Sequence, residues 1–276
     1  CIINGAVGGK LIEAHQRNDA SPTDTSTIYG RLLDRVQRAS LNDGVRAVFW
    51  YQGENNQGAQ GATGKYGWET YEQLFVKMAA DWKRDYPNIE HYYVFQIWPN
   101  ACSMGGAGAK GASDKLRDVQ RRLPRLFSQM TAISTLGIKP EGGCHFSPAG
   151  YIALANQLLP LVEQNHYGKA FEKSVTAPNL VRAKFANDRR DQIELEFDQP
   201  MQWDAPLVSQ FYFDDTKAQV VSGKSTGNSI TLTLKTSTNA SRITYLIDQA
   251  WSSQNLLYGA NGVATLTFCD EPLVTP

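Results

Sequence analysis

Cysteine is scarce in this sequence and poorly spaced. Cys1, Cys102, Cys144 and Cys269 contain no CxxC pair, and no Cys/His group has zinc-ligand spacing, which excludes a zinc finger or ribbon. An excess of charge of one sign is also missing. The 27 basic and 27 acidic residues cancel, so the basic surplus expected of a nucleic-acid or anionic-membrane partner is not there. No apolar run approaches the length of a membrane span. No GxxxxGK[ST] loop is present to cradle phosphates, and there is no internal repeat or long low-complexity tract. A neutral or weakly charged ligand is what these absences leave.

An initiating Met and a leader are lacking as well. Cys1-Ile2-Ile3-Asn4 reads as the inside of a strand, and a domain seldom starts there, so the chain is expected to be a fragment cut at its amino end. No segment fixes a location, and an extracellular or periplasmic one is expected ahead of a cytoplasmic one. In an exported protein, Cys102 and Cys144, both in Gly-rich loops, have a disulfide open to them. Four unpaired, mostly buried thiols are the alternative.

What is present suffices for two domains. The chain has 276 residues, 42% of them hydrophobic and 11% aromatic, enough to bury a substantial core. Residues 1–172 alternate strand-like and helix-like segments: strands at 1–4, 45–51, 92–97 and 131–134, helices at 28–39, 68–86, 114–123 and after Ser147. Asp114 and Ser147 are read as helix caps, and Pro148 as a first-turn proline. A β-α-β-α order predicts a parallel sheet with helices on both faces and a site on the loops after the strands. Residues 173–276 read instead as short alternating strands with Asn-Asp, Gly-Lys and Gly-Asn turns, the pattern of a smaller all-β sandwich.

The buried run Val45-Arg46-Ala47-Val48-Phe49-Trp50 stops in Tyr51-Gln52-Gly53-Glu54-Asn55-Asn56. Amides and carboxylates at the end of a buried strand cost free energy unless each finds a partner. Gln52 or Asn55 can donate an N–H to an oxyanion, with Glu54 fixing neighbouring donors. The bland alternative is a polar turn capping the next helix. Gly5-Ala6-Val7-Gly8-Gly9 lets backbone N–H groups approach a ligand closely, although a glycine pair is more often a plain turn. In Glu141-Gly142-Gly143-Cys144-His145-Phe146-Ser147-Pro148, an imidazole follows two glycines and precedes a marked helix start, where it can act as a general base. His15, His91 and His166 carry no such setting and read as structural. Trp50, Tyr66, Trp68 and Trp98 are candidates for stacking on a ligand.

Taken together, these segments are specific. Ile2 to Glu13, the Trp50-Tyr51-Gln52-Gly53-Glu54-Asn55-Asn56 string, the His145-Phe146-Ser147-Pro148-Ala149-Gly150-Tyr151 string and, more loosely, Leu116-Arg117-Asp118-Val119-Gln120 resemble the sialate O-acetylesterase-like carbohydrate esterases of the Ser-Gly-Asn-His (SGNH) hydrolase superfamily. Leu257-Tyr258-Gly259-Ala260-Asn261-Gly262-Val263-Ala264 is similar to the accessory β domain of some members. The resemblance implies an α/β, three-layer, flavodoxin-like fold and removal of acetyl groups from sugar hydroxyls, with no metal or organic cofactor. His145 would be the base, with Gly8 or Gly9 N–H and Gln52 or Asn55 as the oxyanion hole. The family's nucleophilic Ser block has no counterpart here, and Ser21, Ser103 and Ser113 lack its setting. It is expected upstream of Cys1, and the fragment alone is expected to be inactive. Where the family often has Asp three residues before the His, this chain has Gly142. Either Glu141 orients His145, or a backbone carbonyl does so in a Ser–His dyad, the expectation favoured here. A non-catalytic carbohydrate-binding protein of the same fold, or a glycan-binding β domain on a scaffold, are the other readings.

Overall fold

Apolar runs rich in aromatic and β-branched residues build a three-stranded parallel sheet, described here from a computed structural model. The structure describes residues 1–56, 67–99, 113–138, 140–142, 145–205, 207, 210–247 and 255–275. The strands are Ala47–Trp50 (β1), His91–Gln96 (β2) and Met130–Ser134 (β3), ordered β1-β2-β3. Val48 lies opposite Tyr92, and Tyr92 opposite Met130.

Helices cover both faces. Ile28–Arg38 (α1) is capped by Thr27, whose Oγ1 accepts the Gly30 N–H at 3.0 Å. Its Tyr29, Leu33 and Val36 stripe is buried together with Tyr71, Phe75, Met78 and Trp82 of Trp68–Asp85 (α2) and Leu116 and Val119 of Ser113–Arg122 (α3). Val94 and Tyr92 face this layer. Tyr93, Phe95 and Ile133 face the other way, onto Leu154 and Leu161 of Pro148–Tyr167 (α4). Ser147 caps α4 through Gly150 N–H at 3.1 Å, and Gly168 ends it at φ +67°. Asp114 is not the cap of α3. It lies inside the first turn, where its carboxylate accepts from Lys115 N–H and from the Cys269 thiol.

The strand expected at residues 1–4 is not formed. Residues 1–7 carry no regular structure, and Ile2 is 95% exposed. A strand needs a hydrogen-bonding neighbour, and none of the described strands pairs with these residues. The segment is tied instead to α1, through the Arg35 guanidinium donating to Asn4 O at 2.9 Å.

Beyond α4 the chain is all β. Leu180–Phe185 (β6), Gln192–Phe197 (β7), Phe211–Phe213 (β8), Thr216–Lys217 (β9), Val220–Thr226 (β10), Ser229–Leu234 (β11), Arg242–Tyr245 (β12) and Phe268–Val274 (β13) follow the small hairpin Pro140–Gly142 (β4) and His145–Phe146 (β5). The expected pair of facing sheets is one continuous eight-stranded sheet, β10-β11-β7-β6-β13-β12-β8-β9, curled about a single core. The reason lies in β13. Its first residues pair antiparallel with β12, and Leu273 and Val274 then pair parallel with β6, so one strand serves both halves.

This curl and the parallel sheet share side chains. Trp98, just past β2, and Leu136, just past β3, are buried in the core of the curl. The Gln96 carboxamide pairs with Thr267 as a backbone amide would, accepting its N–H at 2.8 Å and donating to its carbonyl at 2.9 Å. From α3, the buried Arg121 reaches Asp118, Glu271, Asn179 and the Leu180 carbonyl.

At the opposite end of the sheet, His91 Nε2 lies 2.8 Å from Thr131 Oγ1, and His166 Nδ1 lies 2.8 Å from Glu90, which also pairs with Arg46. Burial, and then the neighbouring His166, lower His91 from 6.5 to about 4; burial, and then Arg46, lower His166. Both imidazoles are therefore favoured neutral in the folded state. Their contribution is complete above pH 6.5 and is lost as pH falls from 6.5 towards 4. Melting temperatures followed across that window should drop with acidification, and the drop should be smaller in His91→Phe.

Candidate active site at the carboxyl edge of the parallel sheet

All three strands end at one edge, and the polar string after β1 is organised there by side-chain amides. The Gln52 backbone carbonyl accepts from Tyr71 Oη at 2.9 Å and from Gln120 Nε2 at 2.9 Å. Gln120, fully buried on α3, uses its own Oε1 to accept the Ile97 N–H at 2.9 Å, and so ties the end of β1 to the end of β2. Gly53 passes close to it at φ +150°. A Cβ at Gly53 would stand 2.7 Å from Gln120 Nε2, so both conformation and space require glycine.

The Gln52 side chain faces the amino-terminal turn. Its Nε2 donates to Lys10 O at 3.1 Å and to Asn56 Oδ1 at 2.7 Å, while its Oε1 lies 3.1 Å from Tyr71 Oη. Asn56, fully buried, also accepts the Ile12 N–H at 3.0 Å and donates to Glu13 at 3.0 Å. The Gly8-Gly9 turn, with Gly9 at φ +69°, is exposed and is held to the sheet edge through Lys10. Both Nε2 hydrogens of Gln52 are committed, whereas Asn55 is half-buried.

His145 is exposed. It lies on β5 rather than in a loop, with Gly142 of β4 as its strand partner. Phe146 anchors it: its ring stands 6.2 Å from Tyr51 and 5.6 Å, edge-on, from Tyr151. Burial pushes the Glu54 carboxyl up, opposed by backbone N–H groups of Glu54 and Gly53 and by the charge of His145, which lies within electrostatic reach. The Tyr51 hydroxyl is raised by burial and then by the charge of Glu54. Among the described residues, no hydrogen bond joins His145 to Gln52, Gly8 or Gly9. Glu141 lies on β4 one residue from the partner of His145, and its side chain lies outside the described part.

Several expectations fall elsewhere. Trp50 and Trp98 are buried, the former donating to Tyr71 Oη at 3.0 Å, so neither is a sugar platform. Trp68 is half-buried, with Lys115 Nζ 5.3 Å from its ring. Tyr66, Ser103, Cys102, Cys144 and the small-residue loops lie outside the described residues, as does the Ser113 side chain, while Ser21 is in an exposed turn. Cys1 and Cys269 are free, one exposed and one buried. Glu13, Tyr71 and Gln120 were not read as site residues. The loose Leu116 to Gln120 match was the available signal for the last.

A family model described as "Carbohydrate esterase, sialic acid-specific acetylesterase" matches residues 1–163. The chain belongs to this family. The crystal structure of XAC1771, a novel carbohydrate acetylesterase from Xanthomonas citri, is similar at TM-score 0.67 and 18% identity, covering 96% of this chain. That likeness is one of fold, and the match spans 58% of the Xanthomonas protein. An S-layer protein, rSbsC(31-844), overlaps at TM-score 0.26 and 14% identity, over 92% of this chain and 29% of that one, too little to bear on the fold. No curated protein matches. Within the esterase family member described here, Asn56 rather than Asn55 is the amide at the centre of the edge network. Asn56→Ala should therefore cost about 2–3 kcal/mol in denaturant unfolding, since it strands buried partners, while Asn55→Ala should stay within about 0.5 kcal/mol.

Proposed function

We propose that the intact protein hydrolyses acetyl esters on sugar hydroxyls by nucleophilic catalysis, with His145 as general base and a serine supplied by a segment preceding Cys1. The observation carrying this reading is an exposed imidazole on β5, anchored through Phe146 to Tyr51 at the end of β1, on the edge where the Gly8-Gly9 turn is tied down. Among the described residues β1 pairs only with β2, and its other side supports a further strand. Phe49 is 50% exposed although its ring stacks on Tyr93 at 4.8 Å, and Ile152 and Leu159 on α4 are exposed as well.

In this reading, His145 takes the serine proton as Oγ attacks the acetyl carbonyl. The tetrahedral oxyanion is met by the Gly8 or Gly9 N–H and the Asn55 carboxamide, with Gln52 holding the turn in place rather than donating. Collapse expels the sugar alkoxide, which takes the proton back from the imidazolium, and leaves an acyl-enzyme. Water then repeats the sequence against the acyl group. Glu54 stabilises the imidazolium by its charge, a part assigned on sequence grounds to Glu141 or a carbonyl. The substrate is an acetylated carbohydrate.

Hydrolysis of small acetyl esters by the intact protein tests this directly. His145→Ala should lower kcat by about 10²–10⁴-fold, and Glu54→Gln should lower it more than Glu141→Gln does. Near-normal turnover in His145→Ala would refute the assignment. Sugar binding without turnover by the intact protein would favour a non-catalytic role.

A further inference from the structure

The stretch Leu257-Tyr258-Gly259-Ala260-Asn261-Gly262-Val263-Ala264 folds into a tight hairpin of the curl. Thr265 N–H donates to Leu257 O at 2.8 Å, Tyr258 bridges Ala264, and Gly259 N–H donates to Val263 O at 3.0 Å, with Gly262 at φ +80° at the tip. Asn261 fastens the tip to the segment after α4. Its Nδ2 faces Ser174 O, Thr176 O and Gln199 Oε1 at 2.8–3.0 Å, and its Oδ1 accepts the Val263 N–H at 3.1 Å. The stem follows β3: Ser134 Oγ donates to Thr265 O at 3.3 Å, and Leu266 packs on Ala132.

The same hairpin touches the connection that leads from β3 to His145. A Cβ at Gly137 would stand 3.7 Å from Ala264 Cβ and 4.0 Å from Cε1 and Oη of Tyr258. The residues on either side of Gly137 are split between two cores. Leu136, 1% exposed, is buried in the curl with Leu257 and Ala264. Ile138, 7% exposed, is buried with Phe146 and Leu154 against the start of α4, where its Cγ2 lies beside Gly150. A segment pinned on alternate sides by two cores has little freedom to shift; it precedes β4, the strand partner of β5, and its Ile138 shares a core with Phe146, the neighbour of His145.

We propose that this hairpin is a brace for His145, with Tyr258, Leu136 and Asn261 as positioning residues that act through the residue 136–138 segment. As an account of catalysis it rests on His145 being the base; as an account of placement it does not. The brace sets where the imidazole stands, so its loss is expected to lower kcat and spare KM, because misplacing a catalytic group by about 1 Å costs on the order of 10²-fold in rate.

The four histidines allow a test on the chain itself, through their ring C–H signals in a ¹³C-histidine sample. In Tyr258→Ala, the His145 signal should move while those of His15, His91 and His166 stay, and amide exchange at Leu136 and Ile138 should accelerate about tenfold or more. Tyr258→Phe, which keeps the ring over Gly137, should restore both. Should Tyr258→Ala not fold, Asn261→Ala, altered only at the tip, carries the same expectation. An unmoved His145 signal, with or without faster exchange, overturns the brace. In the intact protein, the same variants should lower kcat by about 10–10²-fold at unchanged KM. Absence of turnover in every form would overturn the esterase reading and leave the spectroscopic result to decide the brace.

Discussion

A buried carboxamide must satisfy two donors and an acceptor, and at the carboxyl edge of this sheet that requirement is met by letting side chains stand in for backbone. Gln96 extends β2 by pairing with Thr267, Gln120 joins the ends of β1 and β2, and Gln52 with Asn56 binds the amino-terminal turn to β1. Each amide left unpartnered would cost about 1–3 kcal/mol, so the four are satisfied together. A network in which every amide uses both its oxygen and its nitrogen restrains its members. Under the proposed esterase reading, stiffness at a strand edge would serve acyl transfer, because donors already aimed at a developing oxyanion require no reorganisation when the charge appears.

The β-rich part is bound to the same edge by interactions that do not survive exposure to water unchanged. Arg117 and Arg121 are fully buried at the junction, Arg117 donating to Leu246 O at 2.8 Å and Arg121 meeting Asp118 and Glu271. Removing the partners of a buried charge is far costlier than the pair is stabilising, which holds the two parts in one arrangement. Desolvation there also explains the chemistry of Cys269. Burial, with Asp114 and Asp270 nearby, raises its thiol, which donates to Asp114 at 3.3 Å, so it is an inert structural thiol rather than a nucleophile.

Helices and strands of the first part were legible because their signals are local. Thr27 and Ser147 cap, Tyr71, Phe75, Met78 and Trp82 repeat at helical spacing, and the runs ending at Trp50, Gln96 and Ser134 are apolar. The short alternating segments after residue 173 likewise announced an all-β region. What misled were features set by neighbours. Cys1-Ile2-Ile3-Asn4 has the composition of a strand but pairs with none of the described strands. Trp50 and Trp98 look like ligand platforms in isolation and are core residues in place. Asn55 and Asn56 are indistinguishable by composition, and only the contact of Asn56 with Ile12 and Glu13, some forty residues away, separates them.

The sequence by itself determined the order of elements and the family motifs, the string around His145 among them, since each depends on residues close together in the chain. The tertiary structure alone decided that Glu54, about ninety residues away in sequence, comes within electrostatic reach of that imidazole, that Gln52 holds the turn instead of projecting a free donor, and that β13 joins the two halves of the curl. Those outcomes depend on which long-range partner satisfies a buried polar group or an open strand edge, and such partners are fixed by packing rather than by spacing.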